Sequence, residues 1–246
     1  MAENTDKKQG NELETDTEKV GSVHPLNRVI SDIVRIFSEQ GFEVATGTEI
    51  EDEQHNFDDL NVPKDHPARD MQDTFWLKDF TSHLLRTHTS GVQIHFMKDN
   101  NTPFKIVAPG KVYRYEATDK THEVQFHQFE GLVVGENINM GHLKNALDTF
   151  VKKFYGEDVE TRLRPGFFPF VEPGVEVDMK KADGKWIEVL GAGMVHPNVL
   201  ENCGIDSKKY QGFAFGIGVD RVAMLKYGID DVRKFYDGDL RLVNQF

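Results

Sequence analysis

Apolar residues first fall into a repeating pattern at Leu26, Val29, Ile30, Ile33, Val34, Ile36 and Phe37, where steps of three and four line up one face of a helix. Gly41 follows where a helix end favours a residue that tolerates positive φ, and Phe42–Ala45 then alternates like a short strand. Residues 51–74 are rich in Asp, Asn, His and Pro and are expected to form an extended surface segment, with Pro63 and Pro67 as breakers. Asp73–Leu77 and Leu84–Thr87 read as two short strands about a turn, and Thr89 or Ser90 can cap a helix reaching about Met97. Leu143, Ala146, Leu147, Phe150, Val151 and Phe154 mark a second amphipathic helix ending at Gly156. Val159–Leu163 alternates, and Val175–Met179 and Lys185–Leu190 read as strands joined at Asp183-Gly184, a frequent hairpin turn pair. Phe213–Gly218 leads into a helix over Val219–Tyr227 with Val222, Met224 and Leu225 on its buried side. Strands joined by hairpins, with helices between the groups, indicate an α+β fold in which an antiparallel β-sheet is flanked by helices.

The stretch Phe104–Val134 departs from ordinary core patterning. Two alternating runs flank a polar loop at Ala117–Glu123. One face of the first run carries Ile106, Ala108, Val112, Arg114 and Glu116; one face of the second carries His122, Val124, Phe126, Gln128 and Glu130. Both faces turn from apolar to charged near the loop. Solvated surface residues would give such a pattern, and so would a ligand bearing both signs, with arginine's planar fork on a phosphate and a carboxylate and an amide on an ammonium.

Composition narrows the class. The chain has 246 residues, 38% of them apolar and 18 of them Phe, enough for one large domain or two small ones. A formal charge of −12 argues against a broad basic surface for nucleic acid, though not against a polynucleotide held by a few residues. One cysteine, Cys203, excludes an intrachain disulfide and a Cys-rich metal centre. No apolar run approaches the roughly 20 residues that span a bilayer, and the polar start MAENTDKKQG carries neither secretory signal nor anchor, so a cytoplasmic location is expected. Residues 1–23 are expected to be a disordered polar tail, and residues 24–246 a single domain.

Other motifs admit two readings each. Gly212–Arg221, GFAFGIGVDR, suggests a dinucleotide fingerprint, but Arg221 stands at its third glycine position and no parallel βαβ unit surrounds it. The remaining readings are glycines that let a flat ligand lie on the backbone, with Arg221 at a helix start, or plain close packing. Phe167, Phe168 and Phe170 around Pro169 are either core or pocket lining. Glu172 is either surface or a hard oxygen ligand for Mg²⁺. The pairs His83/His88 and His122/His127 are each five apart, and with one cysteine and no HExxH they do not point to zinc.

Seven blocks in one register then give a specific likeness: HPARDMQDTF, LLRTHTSGVQI, APGKVYRYE, THEVQFHQFEGLVV, FPFVEPG, GAGMVHPNVL and GFAFGIGVDRVAMLKYGIDDVR. From about His24 to Phe246 the chain resembles the catalytic core of the phenylalanyl-tRNA synthetase alpha-subunit family. That resemblance implies the class II synthetase fold and a reaction that joins phenylalanine to ATP as an adenylate and passes the acyl group to tRNA(Phe). It implies Arg114 at the α-phosphate, Arg221 at the γ-phosphate, and Glu116 and His122 at ATP. It places His88, Ser90, Gln128 and Glu130 around the amino acid's charged groups, with Phe168, Phe170, Ala214 and Gly216 at its ring. Mg²⁺ on Glu172 and a beta-subunit partner in an α2β2 assembly are implied as well.

Departures from the family pattern accompany the likeness. Its alpha subunits usually begin with a coiled-coil arm that contacts tRNA, whereas a short acidic tail precedes His24; Thr48 occupies a position usually proline, and Gln72 one sometimes tryptophan. Alternatives to a full ligase are therefore a paralogue or trimmed core that makes the adenylate without charging tRNA, or a non-catalytic phenylalanine-binding regulator on the same fold. The presence of both Arg114 and Arg221 speaks for ATP chemistry over a bare amino-acid sensor.

Overall fold

Alternation along Phe104–Val134 builds two long neighbouring strands of a seven-stranded sheet. The computed structural model describes residues 21–65, 74–181 and 183–246. Its strands are β1 (Glu43–Val44), β2 (Ile50–Asp52), β3 (His83–Leu85), β4 (Phe104–Tyr113), β5 (Gln125–Gly135), β6 (Thr161–Phe168), β7 (Val171–Lys180), β8 (Trp186–Val195) and β9 (Gln211–Gly218). The large sheet has the order β1-β4-β5-β9-β8-β7-β6, and β2 pairs with β3 in a small separate sheet. Every pairing in the large sheet is antiparallel except β1 with β4, a two-residue parallel edge, so the expected antiparallel sheet is mixed at that margin.

Period-two alternation sends side chains to two different cores. Phe129 and Val133 of β5 join Phe213, Phe215 and Ile217 of β9 beneath the helices Pro25–Ser38, Met140–Tyr155 and Val219–Tyr227. Phe37 is the hub of this layer, its ring 4.8 Å from Phe215, 5.2 Å from Phe42, 5.4 Å from Phe150 and 5.6 Å from Phe129. The Pro25–Ser38 helix turns into β1 at Gly41, whose φ of +83° lets Phe42 N–H reach back to the Phe37 carbonyl. Leu132 and Val134 face the other way, toward the Ser90–Asp99 helix and the Pro197–Asn202 helix.

Residues 51–65 differ from the extended surface segment read from composition. Glu53–Asn56 is a turn of helix, Asp58–Leu60 is 3₁₀, and Phe57, Leu60 and Val62 are buried beside Ile94 and Met97. Elements of three or four residues are too short to show a period, which is why the apolar anchors were hidden among the charges. Of the two strands expected around residues 78–83, Trp76 makes a single bridge to Leu84, and β3 takes β2 as its partner instead. The polar tail up to Val20, together with Gln72 and Asp73, lies outside the described residues.

Arg86 ties the small sheet to the large one. Its buried guanidinium donates to the carbonyls of Lys111 at 2.7 Å, Thr48 at 3.0 Å and Gly47 at 3.2 Å.

The β5–β9 contact depends on a missing side chain. Gly131 lies opposite Phe215, and a β-carbon there would stand 2.1 Å from the ring's Cζ. Overpacking of this kind costs about 1–3 kcal/mol; Gly131→Ala is expected to lose at least that much in urea unfolding, because two layers must part to admit the methyl.

Candidate active site

The sheet's second face, opposite the three long helices, holds a cavity of about 530 Å³. Its floor follows β5 and β9. Gln128 pairs with Gly218, Glu130 with Gly216, and Leu132 with Ala214, so the floor passes from polar to apolar along the strand direction. Gly191 of β8 continues the floor, while Phe167, Phe168 and Phe170 at the β6–β7 turn and Leu60, Met97 and Val199 complete the walls. Small residues make the space: a β-carbon on Gly191 would stand 2.8 Å from the Phe168 ring, which lies stacked on Phe170 at 6.0 Å.

Glu130 is the electrostatic centre. Its carboxylate is buried and accepts from Thr89 N–H at 2.9 Å, the Ser90 hydroxyl at 2.6 Å and the Gln93 amide at 2.9 Å. Burial pushes its carboxyl above the usual carboxylate range, and the Ser90 and Thr89 donors and the Arg114 charge pull against that. The donors come from the start of the Ser90–Asp99 helix, whose first N–H groups have no partner within the helix.

Arg114 stands just past the end of β4, where its N–H extends the hairpin to the Val124 carbonyl at 3.0 Å. Its Nε donates to Thr87 O at 3.2 Å, and its guanidinium sits 5.0 Å above the Phe126 ring. Among the described residues no carboxylate forms a salt bridge with it. Burial lowers its pKa, opposed by the nearby charges of Glu116 and Glu130.

Three polar side-chain atoms around Glu130 are buried without hydrogen-bond partners among the described residues, Thr89 Oγ1 behind the cavity lining and His88 Nδ1 and Gln128 Oε1 on residues that line it. Buried polar groups are nearly always satisfied, so the latter two mark places for a ligand's donors. The His88 ring is fixed through its bond to the Asn56 backbone, and Asn56 itself is buried with its side chain on Thr87.

His88, Ser90, Arg114, Gln128, Glu130, Phe168, Phe170, Ala214 and Gly216 thus meet at one cavity. Four expected site residues lie off its lining. Glu116 is half-buried beside Arg114. His122 is exposed in the hairpin loop with Nδ1 3.0 Å from Asp119. Arg221 is exposed in the first turn of the Val219–Tyr227 helix, and its Nε donates to the Glu188 carbonyl at 3.2 Å. Glu172 is exposed, 3.5 Å from His196 Nε2, and belongs to no group of three or more metal-capable side chains among the described residues. Glu188 and Gln93 line the cavity although no local pattern marks them; Gln93 lies on a helix buried on several sides, and Glu188 on an otherwise ordinary hairpin strand.

Sequence spacing also did not pair the histidines that meet. Glu51, His55 and His95 bring their ligand atoms within 4.8 Å of one another. The two rings stack at 4.1 Å and 20°, so their lone pairs run side by side, and Lys98 Nζ stands 3.2 Å from His55 Nε2. This is the geometry of a hydrogen-bonded charge network.

Comparison with known proteins now bears on the cavity. A family model described as tRNA synthetases class II core domain (F) matches residues 10–246. Relatives named phenylalanine--tRNA ligase alpha subunit, from Bacillus cytotoxicus and Bacillus cereus, are each 56% identical over 241 residues, covering 93% of this chain and 70% of their own length. The chain belongs to this alpha-subunit family of class II synthetases. Two solved structures of pyrrolysyl-tRNA synthetase from Desulfitobacterium hafniense share the fold, with TM-scores of 0.67 and 0.66 at 17% and 18% identity, over 87% and 85% of this chain and 73% and 72% of theirs. Membership agrees with an α+β class II core whose cavity lies on the sheet face opposite the long helices. No helix among the described residues is long and apolar enough to cross a membrane.

The His88 ring offers a direct check on the site's electrostatics. Burial, reinforced by the Arg114 charge, lowers its pKa from 6.5 to about 3. A depressed histidine pKa means that the unfolded chain binds the proton the native state refuses, so this group's stabilising contribution is full above 6.5 and falls as pH drops toward 3. In an NMR titration from about pH 8 to about pH 5, where ordinary histidines change charge, the His88 ring signals should stay at their neutral values.

Proposed function

We propose that this chain is the catalytic core of a phenylalanine–tRNA ligase alpha subunit, activating L-phenylalanine with ATP for transfer to tRNA(Phe). The observation that carries the reading is the floor of the cavity, where Gln128 and Glu130 give way within one strand to Leu132 and Ala214. A free amino acid with an aromatic side chain has the same division. Its ammonium suits the Glu130 carboxylate and the Gln128 oxygen, unpartnered among the described residues, while Ser90 and His88 complete the polar end. Its ring suits the space between Ala214, Gly216 and the Phe168–Phe170 pair, an arrangement that favours offset or edge contacts.

Activation needs no nucleophile from the protein. A carboxylate oxygen of phenylalanine attacks the α-phosphorus of ATP, the bond to the bridging oxygen of pyrophosphate breaks, and the electron pair leaves with pyrophosphate. The protein's task is to hold the attack in line and to neutralise the charge that grows on the phosphate oxygens. Arg114, with no salt bridge to a carboxylate among the described residues, is suited to the α-phosphate, and Arg221 to the γ-phosphate. Glu116 and His122 complete the nucleotide's contacts from the hairpin and its loop.

Mg²⁺ usually keeps several waters and binds through one or two carboxylates plus substrate phosphates. Glu188, on the cavity wall beside Arg221, fits that pattern and would share a metal brought by ATP, which would neutralise phosphate charge. Glu172 stands outside the cavity, so its role as a metal ligand belongs at a contact with the partner chain. A beta subunit in an α2β2 assembly, and a cytoplasmic setting with tRNA(Phe), complete the proposal, with residues 24–246 as the catalytic domain.

The test is phenylalanine-dependent exchange of pyrophosphate into ATP, followed by tRNA acylation, each with and without a beta subunit. Exchange in none of these conditions would refute the reading, and exchange without acylation would select a core that only makes adenylate. Arg114→Ala should lower exchange by about 10²–10³-fold, the usual loss for one charge-stabilising donor, while calorimetry still detects phenylalanine binding. Glu130 must be ionised to hold an ammonium, and its pKa is raised. The KM for phenylalanine is therefore expected to climb as pH falls through that raised value, and Glu130→Gln should give a high KM that no longer depends on pH there.

A further inference from the structure

On the face of β5 turned away from the cavity, the β5–β9 ladder ends where Gln128 meets Gly218. The N–H of His127, one residue beyond, is taken by the carboxylate of Asp220 at 2.8 Å. Asp220 is buried, and the Tyr236 hydroxyl donates to its other oxygen. The Tyr236 hydroxyl also lies 3.2 Å from His127 Nδ1, with the two rings parallel within 6°. The side chain of Asp220 therefore continues the ladder where β9 has turned into the Val219–Tyr227 helix.

The next residue is Arg221. A cation in the first turn of a helix opposes the helix dipole, and among the described residues Arg221 forms no ion pair, its one hydrogen bond going to the Glu188 carbonyl. Its position relative to β5, which carries Gln128 and Glu130, is set by the residue before it. The segment that supplies Tyr236 also reaches the hairpin loop, where Val232 N–H donates to the Lys120 carbonyl at 2.9 Å. Both ends of the expected nucleotide site are thus tied to one short piece of chain.

We propose that Asp220, held by His127 and Tyr236, is a positioning residue that aims Arg221 at the nucleotide phosphates. The proposal rests on the adenylation reading above and adds to it a group that touches no substrate. Simple scaffolding would move both substrates' constants together; positioning of Arg221 would move those of ATP alone.

The experiment compares Tyr236→Phe and Asp220→Asn with the unsubstituted chain in pyrophosphate exchange, using the full chain with whichever partner supports exchange, and records melting temperatures alongside. Loss of one hydrogen bond to a charged group corresponds to about a tenfold effect. Tyr236→Phe should raise the KM for ATP by about that factor, with the KM for phenylalanine unchanged and melting lowered by about 3–6 °C. Asp220→Asn should raise the KM for ATP further, again with the KM for phenylalanine unchanged. If both KM values rise together, if neither moves, or if activity falls only in proportion to unfolded protein, the positioning role is overturned while the adenylation reading stands. Absence of exchange in the unsubstituted chain would instead remove the adenylation reading and this role with it.

Discussion

One buried carboxylate constrains the whole arrangement. Glu130 sits in the middle of the sheet with little solvent to stabilise its charge, so donors must be supplied by the protein at fixed positions. Thr89, Ser90 and Gln93 supply them from the beginning of one helix. That requirement sets where the Ser90–Asp99 helix starts, how its axis meets the sheet, and how far its apolar residues Ile94 and Met97 reach over Leu132. The short helix at Glu53–Asn56 follows, because Asn56 holds Thr87 and His88 in the turn before those donors.

The two faces of the sheet do different work with the same strands. Beneath the long helices, Phe37, Phe129, Phe150 and Phe215 fill space to the density of a core. On the opposite face Gly191, Ala214 and Gly216 withhold volume, and the cavity is what remains. Rigidity on one side allows emptiness on the other, since a floor of glycines would sag without the packed aromatic layer behind it.

How much of this could be read from the sequence depended on the length of each signal. The long helices and the β4–β5, β7–β8 and β9 strands carried sustained periods and were legible, as were Arg114, Gln128 and Glu130 on one alternating face. The Ser90–Asp99 helix has Ser90, Gly91, Val92, Gln93, Ile94 and Met97 all buried, so no polar side advertises its register and Gln93 stayed hidden. His127, Asp220 and Tyr236 meet across 93 and 109 positions of chain, and no local pattern announces a contact of that kind. The same holds for His55 and His95, joined across the gap between two short elements.

Arg86 has a consequence for variation in the segment it holds. Among the described residues its donors go to the carbonyls of Gly47, Thr48 and Lys111, and none goes to a side chain. A clamp on a main-chain oxygen makes no demand on the side chain of Thr48. Proline, usual in this family where Thr48 stands, offers the same carbonyl as threonine. Residue 48 can therefore drift during evolution while the joint it belongs to stays shut, and the cost of change falls on the arginine and on the glycines packed around it, since a β-carbon on Gly110 would stand 2.2 Å from the Arg86 guanidinium and one on Gly47 2.8 Å from Val92.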